Sequence, residues 1–109
     1  MEEKTEQKTL KKGFFPVRIS AEMRPTTHQN SLTEELLRTF VQKMAEKYDL
    51  QVLSQPQDTI STPTICRTEA VIAVPFPNRE HIRIDFNIYA SETERELGTE
   101  LYFRMESAF

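Results

Sequence analysis

Glycine occurs twice in 109 residues, cysteine once and tryptophan not at all. With Gly13 and Gly98 as the whole glycine complement, no phosphate-cradling loop can be written, which excludes Walker-type and dinucleotide-type nucleotide binding. Cys66 stands alone, so an internal disulfide and a cysteine-based zinc cluster are excluded. A single thiol suits a reducing compartment, and its default place is that of a small buried hydrophobe. Net positive charge is also missing: the chain carries −3, so no bulk cationic field gathers nucleic acid or anionic membrane around it. Apolar runs are short and broken by proline and polar residues, and residues 1–12 mix both signs of charge without an apolar centre. Neither a membrane span nor a secretory signal is read from this, and a cytoplasmic location is expected.

Hydrophobic residues make up 38% of the chain and charged ones 28%, a balance that predicts a folded centre with polar ends. Residues 1–12 are Lys, Glu, Thr and Gln with one Leu10 and are expected to be a disordered tail. Residues 13–109 are expected to form one domain. Phe15, Val17 and Ile19 alternate with Pro16 and Arg18 as a half-buried strand does, and Pro16, lacking an N–H, points to a sheet edge. Ser31 and Glu34 form an S-x-x-E capping box, after which Leu36, Leu37, Phe40, Val41, Met44, Ala45 and Tyr48 line one stripe of a helix over about residues 32–48. Glu34 and Arg38 sit at the favourable i,i+4 spacing.

Beyond the helix, residues 50–53 read as a short strand and residues 55–64, with two prolines, as loop. Three alternating segments follow: Cys66 to Phe76, Ile82 to Ile88 with Phe86 at its centre, and Leu101 to Met105. Residues 75–80 are expected to close a hairpin, and residues 91–98 to form a charged connection with at most a helical turn. Pairing the segments so that large side chains meet small ones sets Ala70, Phe86 and Met105 in one inward row. The outward rows then read Arg67, Tyr89, Tyr102, next Glu69, Asn87, Arg104, and last Val71, Asp85, Glu106. The last row sets Asp85 against Glu106, a like-charge contact that counts against this register.

The predicted fold is therefore α+β, one amphipathic helix on a curved antiparallel sheet of four or five strands in β-α-β-β-β order. That order resembles the cystatin/monellin-like arrangement in topology only. The glutamine-valine-glycine loop of cystatins has no counterpart, since Gln51-Val52-Leu53-Ser54 lacks the glycine, so protease inhibition is not implied.

No residue pattern assigns a chemistry. Nucleophilic catalysis requires a serine or cysteine beside an oriented histidine. Only His28, in a polar loop, and His81, at an expected hairpin exit, are present, and neither they nor Cys66 lie in an active-site pattern. Metal-ligand spacings such as H-x-x-x-H or C-x-x-C do not occur, so neither a metal nor another cofactor is expected. Glu92, Glu94, Glu96 and Glu100 are interrupted by Arg95 and read as a solvated charged segment. The expectation is a non-enzymatic protein-binding module, regulator or adaptor that docks to a larger protein or forms a homodimer through sheet edges. Arg67, Tyr89, Tyr102 and Arg104 are its candidate partner-binding residues. Two alternatives come from the same surface: a stacking platform for single-stranded nucleic acid on those Tyr and Arg side chains, and an acidic inhibitor competing for a nucleic-acid-handling site on its partner. The second requires carboxylates clustered on one face.

Overall fold

The computed structural model describes residues 10–24, 31–62, 64–97 and 100–108. Six elements follow in order: β1 (Phe14–Arg24), α1 (Ser31–Tyr48), β2 (Gln51–Ser61), β3 (Cys66–Pro75), α2 (Asn78–Leu97) and β4 (Glu100–Ser107). The strands form one antiparallel sheet in the order β2-β3-β1-β4. Two β-α-β units are thereby interlocked, each having a strand of the other between its own two, which is the ferredoxin-like topology. The α+β class and the four-stranded antiparallel sheet agree with the sequence reading. The helix count does not, because the chain forms two helices where one was expected.

The difference lies in residues 78–97. Ile82, Ile84, Phe86 and Ile88 alternate as a strand would, yet Ile82, Phe86, Tyr89 and Ala90 also fall at helical spacing, and that second period is the one used. Ile82 and Phe86 are fully buried, whereas Ile84 and Ile88 are each 54% exposed. One helix cannot cover a four-stranded face, and α2 shields the half of the sheet that α1 leaves open. Phe86 links the layers, its ring 4.7 Å from Phe40 of α1 and 4.2 Å from Phe103 of β4. The expected hairpin loop over residues 75–80 is in fact the entry to α2, and the connection over residues 91–98 is largely its last turns.

β1 takes the central place that the sequence reading gave to residues 82–88. Ile19 pairs with both Ala70 and Met105, Ala21 with Thr68 and Phe103, and Val17 with Ile72 and Ser107. The relative register of β3 and β4 is thus the expected one, with a different strand between them. Pro16 does not put β1 at an edge. It lies one residue beyond the last paired position of β4, where its missing N–H costs no ladder bond and its carbonyl accepts from the Ala108 N–H at 3.1 Å.

β2 is longer than expected and runs through residues 55–61, with three register irregularities against β3 and a buried Pro56. At the other end of the sheet β4 pairs with β1 in unbroken register and has no described strand on its outer side. α1 buries Thr33, Leu37, Phe40, Val41 and Met44. It ends on Asp49 in the left-handed region (φ 57°), and the Leu50 N–H reaches back to the Ala45 carbonyl at 3.0 Å, a Schellman closure with aspartate in the usual glycine position. The α1 pair Arg38–Glu34 forms at 2.6 Å. The side chain of Ser31, the loop containing His28 and tail residues 1–9 lie outside the described residues. Lys11 to Phe14 close a turn (3.0 Å) with Gly13 at φ 87°, the positive angle that a type II turn needs at its third position.

Phe86→Ala should cost about 3–5 kcal/mol of unfolding free energy, while Ile84→Ala should cost under about 1 kcal/mol. Chemical denaturation of both variants checks this, since a strand over 82–88 would bury both side chains on one face.

Candidate functional site

Both helices lie on one face of the sheet, so among the described residues the other face carries no helix and shows the alternate residues of β1, β3 and β4. Its rows read Glu22 with Arg67 and Tyr102, Ser20 with Glu69 and Arg104, and Arg18 with Val71 and Glu106. Arg67, Tyr102 and Arg104 therefore share the face the sequence assigned them. Tyr89 does not join them: it lies on α2, half-buried against Phe40 with ring centroids 6.0 Å apart. The expected clash of Asp85 with Glu106 is absent for the same reason. Arg18 occupies that row and pairs with Glu106 at 3.2 Å.

Across this face, six side chains form one alternating string. Glu106 meets Arg18, Arg18 meets Glu69 (3.9 Å), Glu69 meets Arg67 (4.0 Å), Arg67 donates from Nε and a terminal nitrogen to Glu22 (2.9 Å each), and Glu22 also accepts from Arg24. Arg24 lies over the Tyr102 ring, 5.2 Å from its centroid. Glu22 is buried although no helix covers it, because its long neighbours close over it. Burial opposes its charge, but the hydrogen bonds from Arg24 and Arg67 and their positive charge outweigh that, so its carboxyl is held below the ordinary glutamate value. A groove of about 250 Å³ runs along this string.

A second, larger groove of about 460 Å³ lies at the β4 edge, between that strand and the start of α2. Phe76, Pro77, Phe103 and Met105 line it with Arg79, Glu80, Arg83 and Arg104. Sequence reasoning missed Arg79 and Arg83 because it placed them in a hairpin and a strand. As part of a helix they stand four apart, on one side.

Of the groups considered for catalysis, the two among the described residues, Cys66 and His81, are not brought together. Cys66 is fully buried at the start of β3, accepts a hydrogen bond from the Thr33 hydroxyl at 3.3 Å, and has its thiol pushed up by burial. His81 stacks on Tyr48 at the other end of α1, and the 15 residues from Thr33 to Tyr48 span about 22 Å of helix. There Tyr48 donates to Asp85 at 3.3 Å and Lys47 approaches the same carboxylate at 3.5 Å, which clamps α1 to α2; the Asp85 charge raises the Lys47 ammonium above its ordinary value. Among the described residues no three His, Cys, Asp or Glu side chains are grouped to hold a metal ion, and no helix is long and apolar enough to cross a membrane.

Glu22 makes the fold acid-sensitive in a defined direction. Its folded pKa lies below the unfolded value of 4.5, so its contribution is complete above that pH and is lost as pH falls through the folded value. Glu22→Gln should destabilise the protein at neutral pH by about 1–3 kcal/mol. The same substitution should flatten the loss of stability below pH 4.5, measured by urea denaturation across the acid range.

No protein-family model matches the sequence, and a search of curated proteins finds no match. Solved structures do match. The aminoacylhistidine dipeptidase of Vibrio alginolyticus aligns with a TM-score of 0.69 and 18% identity over 92% of this chain and 22% of its own. An unknown protein from Galdieria sulphuraria aligns at 0.56 and 12% over 93% of this chain and 53% of its own. The de novo designed protein Foldit4 aligns at 0.51 and 10% over 86% of this chain and 99% of its own. This chain thus spans about a fifth of the dipeptidase and about half of the Galdieria protein, whereas the designed protein consists almost wholly of the shared part. At these identities the likeness shows the fold alone.

Proposed function

We propose that the chain is a non-enzymatic protein-binding module that docks through the open β4 edge of its sheet, to a larger protein or to a second copy of itself. The observation that carries this reading is the state of that edge. The Ala108 N–H donates to Pro16, so the residues of β4 in step with Ala108 direct their backbone groups at β1. Leu101, Phe103 and Met105 then direct their N–H and C=O groups away from the sheet, while their side chains pack on the core. A regular strand with outward backbone groups is a template for another strand. The β2 edge, broken by irregularities and Pro56, offers a poorer one.

The separation of Cys66 from His81 supports the non-enzymatic reading. The likeness to a fifth of a dipeptidase carries fold and not hydrolysis, and a unit that recurs within longer chains fits a docking role. The nucleic-acid alternative is weakened by the charge string: Arg67 and Arg24 are both engaged by Glu22, and three carboxylates on that face repel phosphate. The acidic-inhibitor alternative needs clustered carboxylates, whereas Glu22, Glu69 and Glu106 are interleaved with arginines.

Amide hydrogen exchange followed by NMR tests the docking edge. In dilute protein the amides of Leu101, Phe103 and Met105 should exchange fast and those of Tyr102, Arg104 and Glu106 slowly. On docking, either in a complex or in concentrated protein that light scattering shows to be associated, the fast set should become protected. Association that leaves these three amides fast would overturn the proposal.

A further inference from the structure

The distribution of unpaired arginines singles out the middle of this edge. Arg18, Arg24, Arg38 and Arg67 each form ion pairs. Arg79, Arg83, Arg95 and Arg104 form none among the described residues, and three of these four, Arg79, Arg83 and Arg104, line the 460 Å³ groove beside β4. An acidic protein thus brings three unpaired guanidinium groups together in one groove. Arg79 is the second residue of α2, where the helix dipole favours acids, so its position works against local helix stability. Among the described residues Glu80 is the one carboxylate lining the groove, against three guanidinium groups.

The floor of the groove is apolar. Phe76 is 66% exposed there and meets the half-exposed Phe15 edge-on, with ring centroids 6.3 Å apart. Backbone groups of Phe103 and Met105 point into the same region. A strand laid along β4 would satisfy them and carry the side chains of one face past Arg79 and Arg83 and those of the other past Arg104.

Building on the docking reading, we propose that the occupant of this edge is an extended acidic segment of a partner protein, which adds as a strand to β4 with its carboxylates on Arg79, Arg83 and Arg104 and an apolar side chain against Phe76. Charge selects this occupant over a second copy. The groove sits at the middle of β4, so a two-fold pairing centred on that strand sets the three arginines of one copy against the same three of the other. Nucleic acid would meet the positive charge but leave the outward N–H and C=O groups of the strand edge without partners of matching spacing.

Fluorescence anisotropy with a labelled peptide of about nine residues, built of Glu-Glu-Thr steps and ending in Phe so that both faces of the strand carry carboxylates, tests this against the same peptide with Lys for Glu and against a labelled oligo-dT. The full-length protein should bind the acidic peptide best, more weakly as salt is added. The triple reversal R79E/R83E/R104E should weaken that binding about tenfold or more and turn the preference to the lysine peptide. All three sites are at least partly exposed, and an unchanged melting temperature shows that the variant folds. NMR should show new protection at Leu101, Phe103 and Met105 with the acidic peptide bound. Equal binding of both peptides, tightest binding of oligo-dT, or acidic-peptide binding without protection at those amides would each overturn the inference. If the peptide fails but the edge amides become protected when the protein self-associates, the docking reading stands and only the acidic partner falls. If neither protects them, both fall.

Discussion

Everything in this structure hangs on β1. Among the described residues it is the only strand paired on both sides with elements distant in sequence, to β3 on one side and β4 on the other, and without it the sheet would separate into a β2-β3 hairpin and a lone β4. Its inward side chains, Val17, Ile19, Ala21 and Met23, are all but inaccessible to water. Its outward ones, Arg18, Glu22 and Arg24, are the links of the charge string. One strand therefore organises the apolar core on one face and the polar network on the other, and period-two alternation is what lets it do both.

That double role explains what could be read from the sequence. α1 was legible because its apolar stripe has a single period and a polar opposite side. The pairing of β3 rows with β4 rows was also legible, since matching large with small and inward with outward leaves few registers. What could not be read was which segment lies between them. Residues 82–88 satisfy both the strand and the helix period, and β1 lies 43 or more residues away from every position it pairs with, so nothing local connects them. The like-charge contact of Asp85 with Glu106 was the one warning in the pattern. It marked a strand in the wrong place, and a basic residue, Arg18, stands there instead.

The candidate surface divides along the same line. Arg67, Tyr102 and Arg104 were found from strand alternation, which is faithful on β3 and β4. Tyr89 was assigned to that face and Arg79 and Arg83 were overlooked, all three through one error of period in α2. The polar network itself adds less to stability than its number of contacts suggests, because most of its members are half exposed and such pairs are worth little individually. Its larger effect is to neutralise the helix-free face, which leaves the three guanidinium groups of the β4 groove as the unpaired arginines beside the sheet edge.

The two ends of the sheet are unlike, and that limits assembly. β2 is bulged and carries a proline, while β4 is straight and uninterrupted. A sheet with two receptive ends can be extended indefinitely and is a seed for fibres. One with a single receptive end stops growing as soon as that end is occupied, so any complex built this way closes after one addition and stays finite whatever the concentration.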